Sequence, residues 1–410
     1  MPALTQCIVL VGPELVPHQC PRFAWNTDTV TEIEIGKPCD QLTGETRIIV
    51  PGLYNAHTHL GDAALPEGAA GLTLEEGFFR PHGYKYRELA KIDPTTHENI
   101  VAETLRYMAS TGTVAHIDFR EQGAGGAKLL RSASERTGVK SIILSQFDSS
   151  PFSPAQLESN TDSLPESAQR ELSQILEVAD GISESTMNDL TDSAWREIKE
   201  ATQAKARLRA IHCLENSGYR ETSMARTGKG DLVRAIELWD PHLIVHLTAA
   251  IDEEIAALVK AQKTGVLNPR ANTTLGLPIP PIIKLIDAGA NLLLGTDNVM
   301  LNPPNLFAEL DFTWRLARSQ SGESRASSPA PNEVLKMATS NVRAALGGDH
   351  YGWLAPKLPA SFVVIDATSP HLRHSRNLLT TITTRVGSAD ILATFGFGEK
   401  LWSRPDFATD

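Results

Sequence analysis

Five side chains, His57, His59, His212, His246 and Asp297, each stand at the end of a short apolar run, and together they form the ligand set of a hydrolytic metal site. His57-Thr58-His59 follows Ile48-Ile49-Val50-Pro51-Gly52-Leu53-Tyr54-Asn55-Ala56. Residues two apart on an extended strand face the same side, so the two imidazoles can grip one ion. His212 ends Leu208-Arg209-Ala210-Ile211 with Glu215 three residues on, His246 ends Leu243-Ile244-Val245, and Asp297 ends Leu292-Leu293-Leu294-Gly295-Thr296. A buried carboxylate with no basic neighbour in sequence needs a cation or hydrogen-bond donors. Taken singly, each histidine could be an ordinary packed or surface residue among the 12 in the chain; the combination is what decides. Imidazoles plus one carboxylate suit zinc or ferrous iron with a position left open for water, whose pKa the ion lowers toward about 7.

The elements that must hold these residues follow from the apolar runs. Runs at Gly52 to Ala56, Thr113 to Phe119, Lys140 to Phe147, Ile175 to Ile182, Arg209 to His212, Leu243 to Leu247, Gly265 to Leu267 and Asn291 to Leu294 read as eight strands. Helix-period segments such as Glu98 to Ser110, Asp192 to Lys205, Asp252 to Gln262 and Pro280 to Ala288 separate them. Eight strands with helices between them in about 250 residues is the (β/α)8 barrel, whose active sites lie at the carboxyl ends of the strands. The HxH pair, His212 with Glu215, His246 and Asp297 fall on strands 1, 5, 6 and 8 of that barrel. Short β-like pieces at both ends of the chain predict a small composite β-sandwich. The expected domains are therefore 1-51 with 356-410 for the sandwich and 52-355 for the barrel. Ser149 to Gln169 and Ser319 to Pro331, rich in Ser and Pro, read as loops.

Over nearly its whole length the chain resembles the amidohydrolase superfamily, in its branch of cytosine, guanine and adenosylhomocysteine-type deaminases. Beyond the five ligand candidates, the resemblance is carried by Pro51 through Leu60, Asn268-Pro269-Arg270-Ala271-Asn272, Leu294-Gly295-Thr296-Asp297 and Met337-Ala338-Thr339. It implies that His57, His59, His212 and Asp297 hold one divalent ion, zinc with iron as the alternative. It further implies that Glu215 shuttles protons to the substrate and that His246 polarises the attacked group or the water. Some relatives hold two ions through a lysine or glutamate on strand 4; Ile175 to Ser185 has no lysine, which favours one ion and leaves Glu177 and Glu184 as the residues to check. The segment after the HxH pair reads Leu60-Gly61-Asp62-Ala63-Ala64-Leu65-Pro66 and departs from many deaminases, so substrate identity does not transfer.

Barrel specificity resides in the loops after the strands. Candidate substrate contacts there are Asp62, Arg80, His82, Tyr84, Arg120, Asn216 and Asn298, with Lys85, Glu121 and Asn302 on the same loops. His116 and Asp118 lie within strand 2 and read as packed there; His97, His350, His371 and His374 carry no assigned role. The leading expectation is hydrolytic deamination of a nitrogen heterocycle with release of ammonia. Ring-opening hydrolysis of a cyclic amide or imidazolone is the alternative. A non-catalytic scaffold is disfavoured because no ligand has been lost.

Composition bounds the partners. A net charge of -11, from 49 acidic and 38 basic residues without a basic run, argues against a nucleic-acid backbone and for a small-molecule substrate. No apolar stretch reaches the roughly 20 residues that cross a bilayer. Four cysteines without CxxC spacing, and no leader-like amino terminus, predict a reducing, cytoplasmic setting. Dimers are common in similar families, which makes a homodimer possible here.

Overall fold

The computed structural model describes residues 1–325 and 327–410. Four strands open the chain: β1 (Ala3–Val11), β2 (Val16–Trp25), β3 (Val30–Ile33) and β4 (Arg47–Pro51). Nine parallel segments follow: β5 (Leu53–His59), β6 (Thr113–Arg120), β7 (Lys140–Ser145), β8 (Gly181–Glu184), β9 (Leu208–Cys213), β10 (Leu243–His246), β11 (Thr264–Leu267), β12 (Asn291–Leu294) and β13 (Asp297–Asn298). The chain closes with β14 (Phe362–Asp366), β15 (Ile391–Gly396) and β16 (Glu399–Ser403).

β5 to β12 lie in sequence order as one parallel sheet, with helices in the connections. The eighth run is interrupted at Gly295-Thr296. Its first half, β12, pairs with β11, and its second half, β13, pairs with β5, Asp297 opposite Thr58 and Asn298 opposite His59. The sheet thus curls back until its last strand meets its first, and Asp297 stands beside the HxH pair.

The other sheet runs β16-β15-β14-β4-β1-β2-β3 and draws strands from both ends of the chain. It is one hydrogen-bonded sheet where the sequence suggests a sandwich. Alternate residues of β1 serve different cores: Ile8 and Leu10 join the large core that includes the outer helices, whereas Cys7 and Val9 face Phe23, Trp25, Phe362 and Phe395. Burial on both faces is why Cys7 to Leu10 of β1 reads as a continuous apolar run.

Several expected boundaries move. Ile175 to Ile182 is the end of a helix, Glu166–Val178, followed by the four-residue strand β8. The first predicted loop contains the helix Pro154–Ser159 and the start of Glu166–Val178. In the second, the helix Leu306–Ser321 runs on and a 3₁₀ turn, Glu323–Arg325, follows; residue 326 lies outside the described residues.

Candidate active site

Each ligand candidate sits where a parallel strand ends. The backbone there is left-handed at Leu214 (φ 55°), His246 (φ 77°) and Asp297 (φ 64°), a region that branched or bulky residues avoid and that recurs at functional sites. These turns bend Glu215, His246 and Asp297 toward one point. Gly295 makes the approach feasible: a Cβ there would lie 2.4 Å from His57 Cβ and 2.5 Å from Asn268 Oδ1.

Asp297 Oδ1 lies 3.1 Å from His57 Nε2 and 3.6 Å from His59 Nε2. One potential ligand atom from each of His57, His59 and Asp297 falls within 4.8 Å of the others, and the same holds for His57, His212 and His246. The outer ring nitrogens are held from behind, as in metal-binding histidines. His59 Nδ1 donates to Glu121 Oε1 at 2.9 Å and His212 Nδ1 to the Glu184 carbonyl at 3.1 Å, which turns each Nε2 inward. Among the described residues neither ring nitrogen of buried His57 has a well-aligned hydrogen-bond partner, Asp297 being near Nε2 but not in bonding geometry, an orphaned state that a bound cation would relieve. Phe119 packs edge-on against the His57 ring, 4.1 Å between centroids.

Burial lowers the His57 imidazole to about 3 and holds His212 well below the ordinary range, so both are neutral and ligand-competent. Burial would raise Asp297, but the cluster of imidazoles around it, His57 first and then His246 and His59, outweighs burial and favours the ionised carboxylate. Glu215 is raised, chiefly by burial. Its Oε1 lies 3.6 Å from His246 Nε2, and its Oε2 accepts the Tyr219 hydroxyl at 3.0 Å. The amide of Asn272 meets His246 Nδ1 at 3.1 Å and fixes that ring.

These groups open on a cavity of about 260 Å³ lined by His59, His212, Glu215, His246 and Asp297 at its base. Of the candidate substrate contacts, Arg80 and Asn298 line it, and so does Lys85 from the same loops. The other five stand elsewhere. Asp62 is buried and accepts Asn298 Nδ2 at 2.6 Å and Met300 N at 3.0 Å. Arg120 is buried with Nε on the Gly126 carbonyl at 3.1 Å. Asn216 caps the helix Ser217–Thr227 by accepting the Tyr219 amide at 3.2 Å. His82 is exposed, and Tyr84 is half-buried against Gly68.

Sequence reasoning missed Phe79, Tyr86, Asn188, Asp189, Tyr219 and Arg226 in the cavity wall. Tyr219 carries a usable signal, since it falls one helical turn beyond Glu215. Glu184 is engaged on both oxygens, Oε1 by the Phe147 amide at 2.8 Å and Oε2 by Arg80, while Glu177 is exposed on a helix. His116 and Asp118 are packed as expected: Thr58 Oγ1 meets His116 Nδ1 and donates to Asp118 Oδ2, each at 2.9 Å.

The sequence profile of the Amidohydrolase family matches residues 48–399, most of the chain and every residue of this site. The chain belongs to the amidohydrolase family. A Methanothermobacter thermautotrophicus protein whose name proposes an aminohydrolase is 31% identical to this amidohydrolase over 363 residues, 88% of this chain and 90% of that protein. A 5-methylthioadenosine/S-adenosylhomocysteine deaminase of Caldanaerobacter subterraneus subsp. tengcongensis is 24% identical, covering 90% of this chain and 84% of its own length. The solved structure of an adenosine deaminase from Xanthomonas campestris with bound zinc superposes with a TM-score of 0.80 at 18% identity, over 98% of this chain and 93% of that one. That last likeness establishes a shared fold for this amidohydrolase. Among the described residues no helix is long and apolar enough to cross a membrane.

Proposed function

We propose that this amidohydrolase hydrolytically deaminates a nitrogen heterocycle and releases ammonia. The observation that carries the reading is the convergence of four buried or half-buried histidines and Asp297 beside Glu215, at the base of a cavity of about 260 Å³. Relatives named as an aminohydrolase and as deaminases of adenine-bearing substrates support it. So does the fold: the closed parallel sheet reads as a (β/α)8 barrel over 52-355, and the seven-stranded sheet as a domain built from 1-51 and 356-410.

His57, His59, His212 and Asp297 would hold one zinc ion, which supplies Lewis acidity and lowers the pKa of water. Glu184, committed on both oxygens to Phe147 and Arg80, is not free to bridge a second ion. Asp297, ionised at the mouth of the set, accepts a proton from the attacking water. Glu215, raised by burial and held by Tyr219, takes the water's other proton to the ring nitrogen, while Asp297 passes its own to the amino nitrogen, which leaves as neutral ammonia. His246 donates toward the attacked carbon's substituent or the water. The aromatic wall of Phe79, Tyr86 and Tyr219 suits a flat ring. All four cysteines are free, which fits a reducing, cytoplasmic setting.

The test is ammonia release from a panel of purines, nucleosides, pyrimidines, pterins and triazines by zinc-loaded protein. Ring opening without ammonia on any member would replace deamination by cyclic amide hydrolysis.

A further inference from the structure

The excursion after β5 does two things. Leu74, Phe79, Arg80, Lys85 and Tyr86 line the cavity, and Lys85 also reaches inward from it. Its side chain is 3% exposed; its ammonium contacts Glu121 Oε1 and lies 3.6 Å from Asp62 Oδ2. The same Glu121 oxygen accepts His59 Nδ1 at 2.9 Å, and the same Asp62 oxygen accepts Asn298 Nδ2 at 2.6 Å. One ammonium thus stands between two buried carboxylates whose other partners are His59 and the residue after Asp297. Removing one member of such a network leaves an uncompensated buried charge.

We propose that Lys85 is a positioning residue that couples the substrate-facing wall to the ion-binding site, by fixing the Glu121 carboxylate that orients His59 and the Asp62 carboxylate that anchors Asn298. The proposal rests on the reading of the site as a metal centre. It makes wall and ligands adopt working geometry together. Gly61 fits the same purpose, since a Cβ there would lie 2.4 Å from Glu121 Oε2 and block that carboxylate's position.

The experiment uses the full-length chain and its Lys85→Met, Lys85→Arg, Glu121→Gln and Lys85→Met/Glu121→Gln variants. Zinc affinity is read by competition with a chromophoric chelator. Lys85→Met should weaken zinc binding by about 10-fold to 100-fold, the range for loss of a group behind a ligand. Lys85→Arg should restore affinity to near that of the unaltered chain. In the Glu121→Gln background the Lys85→Met loss should shrink markedly, because the carboxylate it serves has lost its charge. A second readout is amide hydrogen exchange of residues 74–90 with and without zinc. Added zinc should slow exchange there in the unaltered chain and in Lys85→Arg but not in Lys85→Met, a dependence that a merely structural lysine would not produce.

Unaltered zinc affinity in Lys85→Met, or an equal loss in both backgrounds, overturns the coupling while leaving the metal centre intact. If Lys85→Met does not fold, the absence of zinc-dependent protection at 74–90 in the unaltered chain overturns it instead. An unaltered chain that takes up no zinc sinks the metal-centre reading itself, and the coupling with it.

Discussion

Tyr219 donates its hydroxyl to Glu215 Oε2 at 3.0 Å from one turn along the helix that Glu215 precedes. The bond opposes burial: burial raises the Glu215 carboxyl and the tyrosine pulls it down. Tyr219→Phe therefore raises Glu215 further. Because Glu215 must be ionised to accept a proton, the acid limb of kcat/KM should move to higher pH, and kcat should fall by about tenfold at neutral pH. A pH-rate profile decides; an unmoved limb would remove Glu215 from the proton path.

Asp297→Asn keeps the shape of the side chain and removes its charge. The variant should lose bound zinc and drop kcat on the order of a thousandfold, while the unaltered chain dialysed against a chelator should recover activity on adding zinc. Elemental analysis with a parallel activity assay reads both. Full activity in the Asp297→Asn variant would end the assignment.

Gly295→Ala puts a methyl 2.4 Å from His57 Cβ. Overpacking of this kind costs about 1–3 kcal/mol, and here the neighbour that must yield is a ligand candidate. Calorimetry should show a lower Tm, and zinc content should fall with it. A variant that loses stability yet keeps full zinc would mean that His57 tolerates displacement.

Asp231 is buried and accepts the Leu214 amide at 2.8 Å, holding the turn that presents Glu215. Burial pushes its carboxyl up to about 6, above an unfolded value of 3.8. Between those values the folded chain binds more protons than the unfolded one, so this group's contribution to stability is lost as pH rises through the window. Asp231→Asn should therefore gain about 1–2 kcal/mol more over the unaltered chain at pH 8 than at pH 5. Urea unfolding of metal-free protein avoids the proton uptake that accompanies metal release. An equal difference at both pH values would contradict the buried, raised carboxyl.

The clustering of the four histidines with Asp297 was legible in sequence because each ends an apolar run, and a strand of the parallel sheet buried on both faces is such a run. Beyond Arg80, Lys85 and Asn298, the cavity wall was not. Asn188 and Asp189 follow a strand only four residues long, Gly181–Glu184, which the apolar pattern merges with the preceding helix. Strand β2 escaped because Pro17, His18, Gln19 and Pro21 break its alternation; only its pairing with β1 shows why they are tolerated. Asn216 reads as a substrate contact because it lies on the loop after a strand, but its side chain is used to cap a helix.

The interruption of the eighth run at Gly295-Thr296 has a consequence for synthesis. A nascent chain released only to residue 290 already contains all four histidines of the set but neither half of the strand that closes the sheet. On the proposed reading of Asp297 as a ligand, the carboxylate arrives with the closing segment, so capture of an ion would wait for closure of the sheet, and a partly made chain would hold no complete ligand set.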